Sequence, residues 1–489
     1  MHDRHIERLA VAAACILGVA LIAWWLGRDP TAAFEPSVPG MDDPQGRRAT
    51  ARATAERIRI GEHFTRFAGE PSGNPFAWPW LHGPDYSNIS TQDVDLADAW
   101  PADGPPVLWS VDLGEGHAAA AVRDGRVYVI DYLEEERRDA LRCFSLEDGR
   151  EIWRRSYDVH VKRNHGMSRT VPAVTEDCVV TIGPRCHVMC TSAEDGAFRW
   201  GIDMERELGT TIPGWYTGQC PIVEDGLAIL APAGTNVLMM AVDCQSGAVV
   251  WRTPNRNGWQ MSHSSIRPMH HGATKMYVYA AIGGLVGVAA EGADRGRVLW
   301  ESTAWNPSVI APAPVVLPGG RIFMTAGYGA GSALFEVTAE GDGFSVGLLY
   351  SSSPREGLAS EQQTPLLYEG HLFGILPKDA GSRREQFACV RPDGTVAWLS
   401  GKTHRFGLGP FLLADGKLFI LDDDGTLTLA RMSTRSFQPL ASYRVLEGRD
   451  AWGPLAIAGR RLLLRDDTRM ICLDVGQGIE PAMTGSTDG

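Results

Sequence analysis

The chain has no basic excess: 46 Lys and Arg stand against 59 Asp and Glu, a net charge of −13. That balance argues against a nucleic-acid partner, which asks for a positive face. Helical periodicity is also missing along the body, so a helical solenoid is excluded. Long apolar runs are scarce, and only Leu9 to Leu26 (LAVAAACILGVALIAWWL) extends 18 residues without a charge. No phosphate loop is present, because Gly327-Tyr328-Gly329-Ala330-Gly331 lacks the following Lys and helix. Asp422-Asp423-Asp424-Gly425 lacks the twelve-residue calcium pattern with its terminal Glu and reads as a hairpin turn. His263, His270 and His271 are near in sequence, but the last two flank a hairpin turn, so no metal site is expected.

What is present is a repeat. A Gly followed four residues later by Trp recurs as Asp148-Gly149…Trp153, Asp195-Gly196…Trp200, Ser246-Gly247…Trp251, Gly296…Trp300 and Asp393-Gly394…Trp398. An early copy ends at Trp109, and weaker ones end at Tyr350 and Tyr443. Successive aromatics stand 44 to 51 residues apart. A second landmark keeps the same period: Pro172, Pro221, Pro268, Pro314, Pro365, Pro410 and Pro454 each precede an apolar stretch. Between the landmarks lie short runs of strand formers such as Arg126-Val127-Tyr128-Val129-Ile130, joined by tight turns. Four antiparallel strands per repeat describe a propeller blade.

Inner strands expected near Ala119 and the seven prolines give eight blades. The last repeat reaches only Leu473-Asp474-Val475, whereas Val107-Leu108-Trp109-Ser110-Val111 precedes the first inner strand. That early strand is expected to complete the last blade and close the ring. The fold class is therefore all-β, an eight-bladed β-propeller over residues 76–475. Ahead of it come a short N-terminus (1–8), a transmembrane anchor (9–26) and a Pro-rich tether (27–75), with a short helix around Ala49 to Ile60. A disordered tail (476–489) is expected behind. The apolar run ends in Trp24-Trp25, which suit a membrane interface, and not in a small-residue cleavage site, so an uncleaved anchor is expected. With Arg4 and Arg8 before the span and Arg28 after it, the expected arrangement is single-pass in a bacterial inner membrane, ring in the periplasm.

Nine cysteines do not make a disulfide set here. Cys143, Cys190, Cys244, Cys389 and Cys472 recur just before the turn that leads to the aromatic, which marks a packing slot for a small apolar group. Cysteines of different blades are expected to stay apart, the exception being Cys178 with Cys186 or Cys190 inside one blade.

The phrase Ala241-x-Asp243-x-x-x-Gly247-x-x-x-Trp251 resembles the tryptophan-docking repeat of the quinoprotein alcohol dehydrogenase-like, or PQQ-like, propellers. The resemblance covers roughly residues 104 to 475. Trp78-Pro79-Trp80-Leu81-His82-Gly83-Pro84 is similar to the segment ahead of many membrane-anchored bacterial PQQ-like repeat proteins of uncharacterised function, with His82 where Arg is usual. The resemblance implies that Trp109, Trp153, Trp200, Trp251, Trp300 and Trp398 are structural docking aromatics between blades. The superfamily's dehydrogenases imply PQQ and calcium, held by a vicinal Cys-Cys disulfide and Glu, Asn and Asp residues. No Cys-Cys pair exists here and no segment matches the calcium ligands, so no cofactor and no catalytic residue is expected.

Function in a propeller is expected on the connections from each outer strand to the next inner strand. These hold an unusual share of polar and aromatic groups, from which ligand or partner contacts are expected at Arg169, Trp215, Gln219, His263, Arg267, Glu361, Gln362, His404, Arg405, Asp450 and Trp452. Such a set suits a small polar ligand, such as a sugar, or a peptide segment. The leading expectation is a membrane-tethered, non-catalytic platform for a protein or glycan partner of the cell envelope. One alternative is an enzyme, either a quinoprotein-like oxidoreductase or a sugar-processing activity around Glu361, His404 and Asp450. Another is an outer-membrane assembly scaffold that binds strands along an exposed blade edge.

Overall fold

The computed structural model describes residues 2–27, 58–341 and 343–478, which fall into two units, Met1–Arg57 and Ile58–Gly489. In the first, a helix spans His2–Leu26, and Ile16, Leu17, Val19, Leu21, Ile22 and Trp25 on it are exposed. The expected span from Leu9 begins among side chains outside the described set. Among the described residues no helix is long and apolar enough to cross a membrane. The helix expected around 49–60 also lies mostly outside the described residues, and Ile58 to Ile60 are not helical.

The second unit holds eight sheets of four or five strands, each built of antiparallel strands in sequence order from the inside outward, with a strand from ahead of the first blade added at the edge of three of them. The inner strands are Ala121–Arg123, Ala173–Val174, Ile222–Glu224, Arg267–His271, Val315–Leu317, Leu366–Tyr368, Phe411–Ala414 and Ala456–Ala458, which number blades 1 to 8. As expected, Val107–Asp112 pairs antiparallel with Arg469–Asp474 and supplies the outer strand of blade 8. The seam is reinforced from inside by Arg465, a buried side chain of blade 8 whose guanidinium donates to Ala118 O (3.2 Å) and Gly114 O (3.1 Å) ahead of blade 1.

The recurring Gly and the recurring aromatic are two halves of one contact. Gly149 has φ of +70°, and a Cβ there would stand 2.7 Å from the Trp109 ring. Gly196 meets Trp153 in the same way, Gly247 meets Trp200, Gly296 meets Trp251, and Gly104 meets Tyr443. Each aromatic thus lies on the turn of the next blade, and Trp109 carries the contact across the seam. Trp109 Nε1 donates to Leu146 O, Trp200 Nε1 to Cys244 O, and Trp398 Nε1 to Ser433 O. Trp300 differs: its indole lies over Gly287 of its own blade and donates to Met276 Sδ.

Opposite each Trp the partner strand carries a small residue: Cys143, Cys190, Ala241, Gly287, Cys389 and Cys472, followed in the first five by a bulge. The packing slot is therefore Ala241 in blade 3, and Cys244 lies beyond the strand, in the turn. This displacement brings two blades' cysteines together, contrary to expectation. The Cys178, Cys190 and Cys244 side chains lie against one another between blades 2 and 3. Cys186 instead meets Thr217 Oγ1 at 3.0 Å.

One expected boundary moves. The tether was expected to run to residue 75, yet His63–Arg66 adds a fifth strand to the outer edge of blade 1. Residues 76–92 fill the central channel of the ring. Trp78 is buried and bonds to Val122 in both directions at 2.8 Å, and Val174 N–H donates to Pro79 O. Ile89 and Ser90 pair in parallel with Leu413 and Ala414, and the Gln92 amide bonds Ile457 O and Gly459 N–H. One segment thereby satisfies inner-strand backbone groups of blades 1, 2, 7 and 8 that would otherwise line an empty channel.

Candidate functional site

All eight outer-to-inner connections converge at one end of the ring and enclose a cavity of about 360 Å³. In blade order they contribute His117, Arg169, Trp215, His263, Ala311, Glu361, Leu408 and Trp452. Tyr328 and Lys378 enter from the connections between the second and third strands of blades 5 and 6. Leu81 and His82 of the channel-filling segment close the cavity from below, which makes it a cup.

Two aromatic platforms stand in the cup. Trp452 is pinned by its indole N–H, which donates to Asp423 Oδ1 at 2.7 Å. The His117 ring lies 5.0 Å from it, and Lys378 Nζ lies 6.0 Å from the ring centroid. Gln363 Nε2 donates to Trp452 O, which fixes the backbone as well. Across the cup Trp215, at φ of +61°, lies parallel to Tyr328 with centroids 5.9 Å apart and 6.3 Å from the His263 ring. Gly218 leaves room for that histidine, since a Cβ there would stand 2.9 Å from His263 Cβ.

The electrostatics of the cup are lopsided. Arg169 donates from Nε to Trp215 O and from Nη2 to His165 O (2.7 Å) and Asn164 O (2.9 Å), with no carboxylate partner. Burial lowers its pKa to about 10, so it stays charged. Burial, with Arg169 and Arg465 nearby, pulls His117 down to about 3, and burial with Arg169 pulls His263 down to about 4. Both imidazoles are neutral at pH 7. Beneath the floor Arg267, buried and lowered to about 10 by burial, donates to His82 Nδ1 and faces the Tyr86 ring at 5.4 Å. On the opposite wall Glu361 is raised by burial and by Asp379 and Asp423, against the pull of Lys378.

Of the residues expected at the mouth, Arg169, Trp215, His263, Glu361, Gln362 and Trp452 line the cup. The other five do not. Gln219 is fully buried and closes a strand end, exchanging hydrogen bonds with both backbone groups of Ala231. Arg267 begins an inner strand and turns beneath the floor. His404 packs on Phe437, with ring centroids 5.3 Å apart, and Arg405 bonds back to Arg384 O and Ser382 O, so their loop folds onto its own blade. Asp450 sits in a turn at φ of +53° whose carbonyl accepts from Trp452 N–H. The acid–base set Glu361, His404 and Asp450 is therefore not assembled around the cup. His82, His117, Tyr328 and Lys378 are members that the loop pattern did not indicate.

The cup does not fit a calcium-assisted quinone. Calcium takes 6 to 8 oxygen ligands, and Glu361 is the one carboxylate among the lining residues. Among the described residues no group of three or more His, Cys, Asp or Glu is arranged to hold a metal ion.

Residues 137–342 match the family described as outer membrane protein assembly factor BamB. No curated protein matches the chain. The crystal structure of BamB from Moraxella catarrhalis is similar, with a TM-score of 0.50, 14% identity, and coverage of 76% of this chain and 99% of that one. The computationally designed Ika8 protein gives a TM-score of 0.50 at 9% identity, covering 76% of this chain and 100% of that one. A quinohemoprotein alcohol dehydrogenase from Pseudomonas putida HK5 gives 0.44 at 13% identity, covering 83% and 81%. At these identities the structural likenesses concern the fold alone. Residues 137–342 thus carry the family's repeat, and they lie within an eight-bladed β-propeller whose other sheets repeat the same blade.

Proposed function

We propose that the protein is a non-catalytic binding propeller of the bacterial envelope, whose cup receives a ligand or the tip of a partner. The observation that carries this reading is the convergence of side chains from all eight blades on one small cavity with fixed platforms. His117 and His263, held at about 3 and about 4, are unsuited to general acid–base work near neutral pH. The helix over His2–Leu26, with its charge-free run and exposed apolar side chains, supports reading it as a tether to the inner membrane.

A second reading, an assembly scaffold, is favoured by the family match over residues 137–342. It would use a blade edge, and blade 5 offers exposed Leu348 and Leu349 on its outer strand, Gly343–Ser352. Photo-crosslinkers placed at Tyr328 on the rim and at Leu349 on the edge separate the two in cells. Adducts at Tyr328 alone are expected; adducts at Leu349 alone would replace the cup reading with the scaffold. Titration with PQQ and calcium tests the oxidoreductase alternative, and substrate-dependent dye reduction would sink the non-catalytic reading.

A further inference from the structure

We propose that the ligand of the cup is a small cyclic carboxylate, an acidic sugar, whose anionic group lies on the Arg169–His82 side and whose ring lies on Trp452. The inference rests on the cup being a binding site and adds the chemistry of what it binds.

Three observations carry it. The first is an imbalance of partners. Away from the cup, the largely buried guanidinium of Arg142 pairs with Asp131 and Glu151. Arg169 in the wall and Arg267 beneath the floor meet only carbonyls, an imidazole and a ring face. A desolvated guanidinium without a counter-ion is costly, and an anionic ligand would supply the missing charge. Arg169 spends Nε and Nη2 on backbone carbonyls, while its Nη1 makes no hydrogen bond and the residue lines the cavity.

The second is the tautomer of His82. A guanidinium only donates, so His82 Nδ1, which Arg267 faces, must accept, and the proton must sit on Nε2. Burial and the Arg267 charge both hold this ring neutral. The floor of the cup therefore presents a neutral N–H donor polarised by a buried cation, suited to a carboxylate oxygen.

The third is size and shape. A cavity of about 360 Å³ is near the lower end of the roughly 300–1,000 Å³ of ligand sites, so the ligand is small. Trp452 is immobilised through Asp423 and offers a flat apolar face beside polar groups from Gln362 and Glu361. A pyranose ring presents C–H groups to such a face and hydroxyls to such neighbours.

The test is calorimetric titration of the full-length protein in detergent with D-glucuronate and with D-glucose. Glucuronate is expected to bind at least about tenfold tighter, ~1.4 kcal/mol, and to weaken as salt is raised. Arg169→Gln should remove that preference, Arg169→Lys should restore part of it, and Arg405→Ala, which faces away from the cup, should change nothing. Should Arg169→Gln fail to fold, Lys378→Gln on the opposite rim is the second variant, expected to weaken glucuronate several-fold more than glucose. Equal affinity for the two sugars, or an unchanged preference in Arg169→Gln, would overturn the anionic ligand and leave the cup a binding site. No binding of either sugar, with adducts still forming at Tyr328, would overturn the acidic sugar alone. Loss of both would remove the cup as a site.

Discussion

Asp139 is a buried carboxyl whose Oδ2 accepts the Tyr157 hydroxyl at 2.6 Å while its Oδ1 finds no partner. Burial raises it from 3.8 to about 7, which the Tyr157 bond opposes and Asp131 augments. Its folded value lies above its unfolded one, so its stabilising contribution is complete below about 3.8 and disappears as pH rises through about 7. Urea midpoints should therefore fall between those values and level off above them, and Asp139→Asn should flatten the profile. At Gly196, Ala should cost about 1–3 kcal/mol, because the site combines φ of +70° with the Trp153 ring at 2.7 Å; a denaturation midpoint checks it. Legibility at this scale is uneven. The docking Gly–Trp pairs were visible because both partners recur at a fixed local spacing. Arg267 was not, because one residue decides whether a side chain at a strand start turns into the mouth or beneath the floor. Lys378 and Tyr328 were missed because they come from connections between second and third strands, where the sequence offers only turn residues.

The strand Val107–Asp112 and the channel-filling segment make the sharpest contrast among the elements. The first was readable as a surplus strand, since the last repeat lacks one. The second has no periodicity, and its partners lie tens to hundreds of residues away, so nothing local announces that it enters the ring. Trp109→Ala tests the first by removing the aromatic that carries blade 8 onto the Gly149 turn. The loss should approach the roughly 3–5 kcal/mol of a buried Trp truncation. Trp78→Ala, at a residue 1% exposed, should cost a comparable amount although it touches no blade-to-blade turn. Thermal unfolding of the two variants compares them directly. The three neighbouring thiols of blades 2 and 3 belong at this scale too: Cys244 stands three residues before its turn glycine, Gly247, whereas Cys190 stands six before Gly196, so Cys244 lies past the end of its strand, in the turn.

On the scale of the whole ring, the cup and the seam are one place. His117 leads into blade 1 and Trp452 into blade 8, and their rings are 5.0 Å apart. Loosening the seam should therefore separate a platform from its neighbour: Trp109→Ala is expected to weaken any cup ligand severalfold more than Trp251→Ala, which loosens a boundary remote from Trp452. Hydrogen exchange in the two variants would show whether the inner strands of blades 1 and 8 open together. The seam also imposes a timetable on a ribosome. The segment that fills the channel and the strand that locks it are both made before any blade exists, and Asp112 must wait for Arg469. At about 5–20 residues per second that delay is roughly 20–70 s. Throughout it Val107 and Leu108 have no partner strand, and the channel-filling residues have no channel. Nascent chains of this protein should accordingly need shielding at their leading end, and a circular permutant that makes residues 76–112 last should shorten the time for which that shielding is needed.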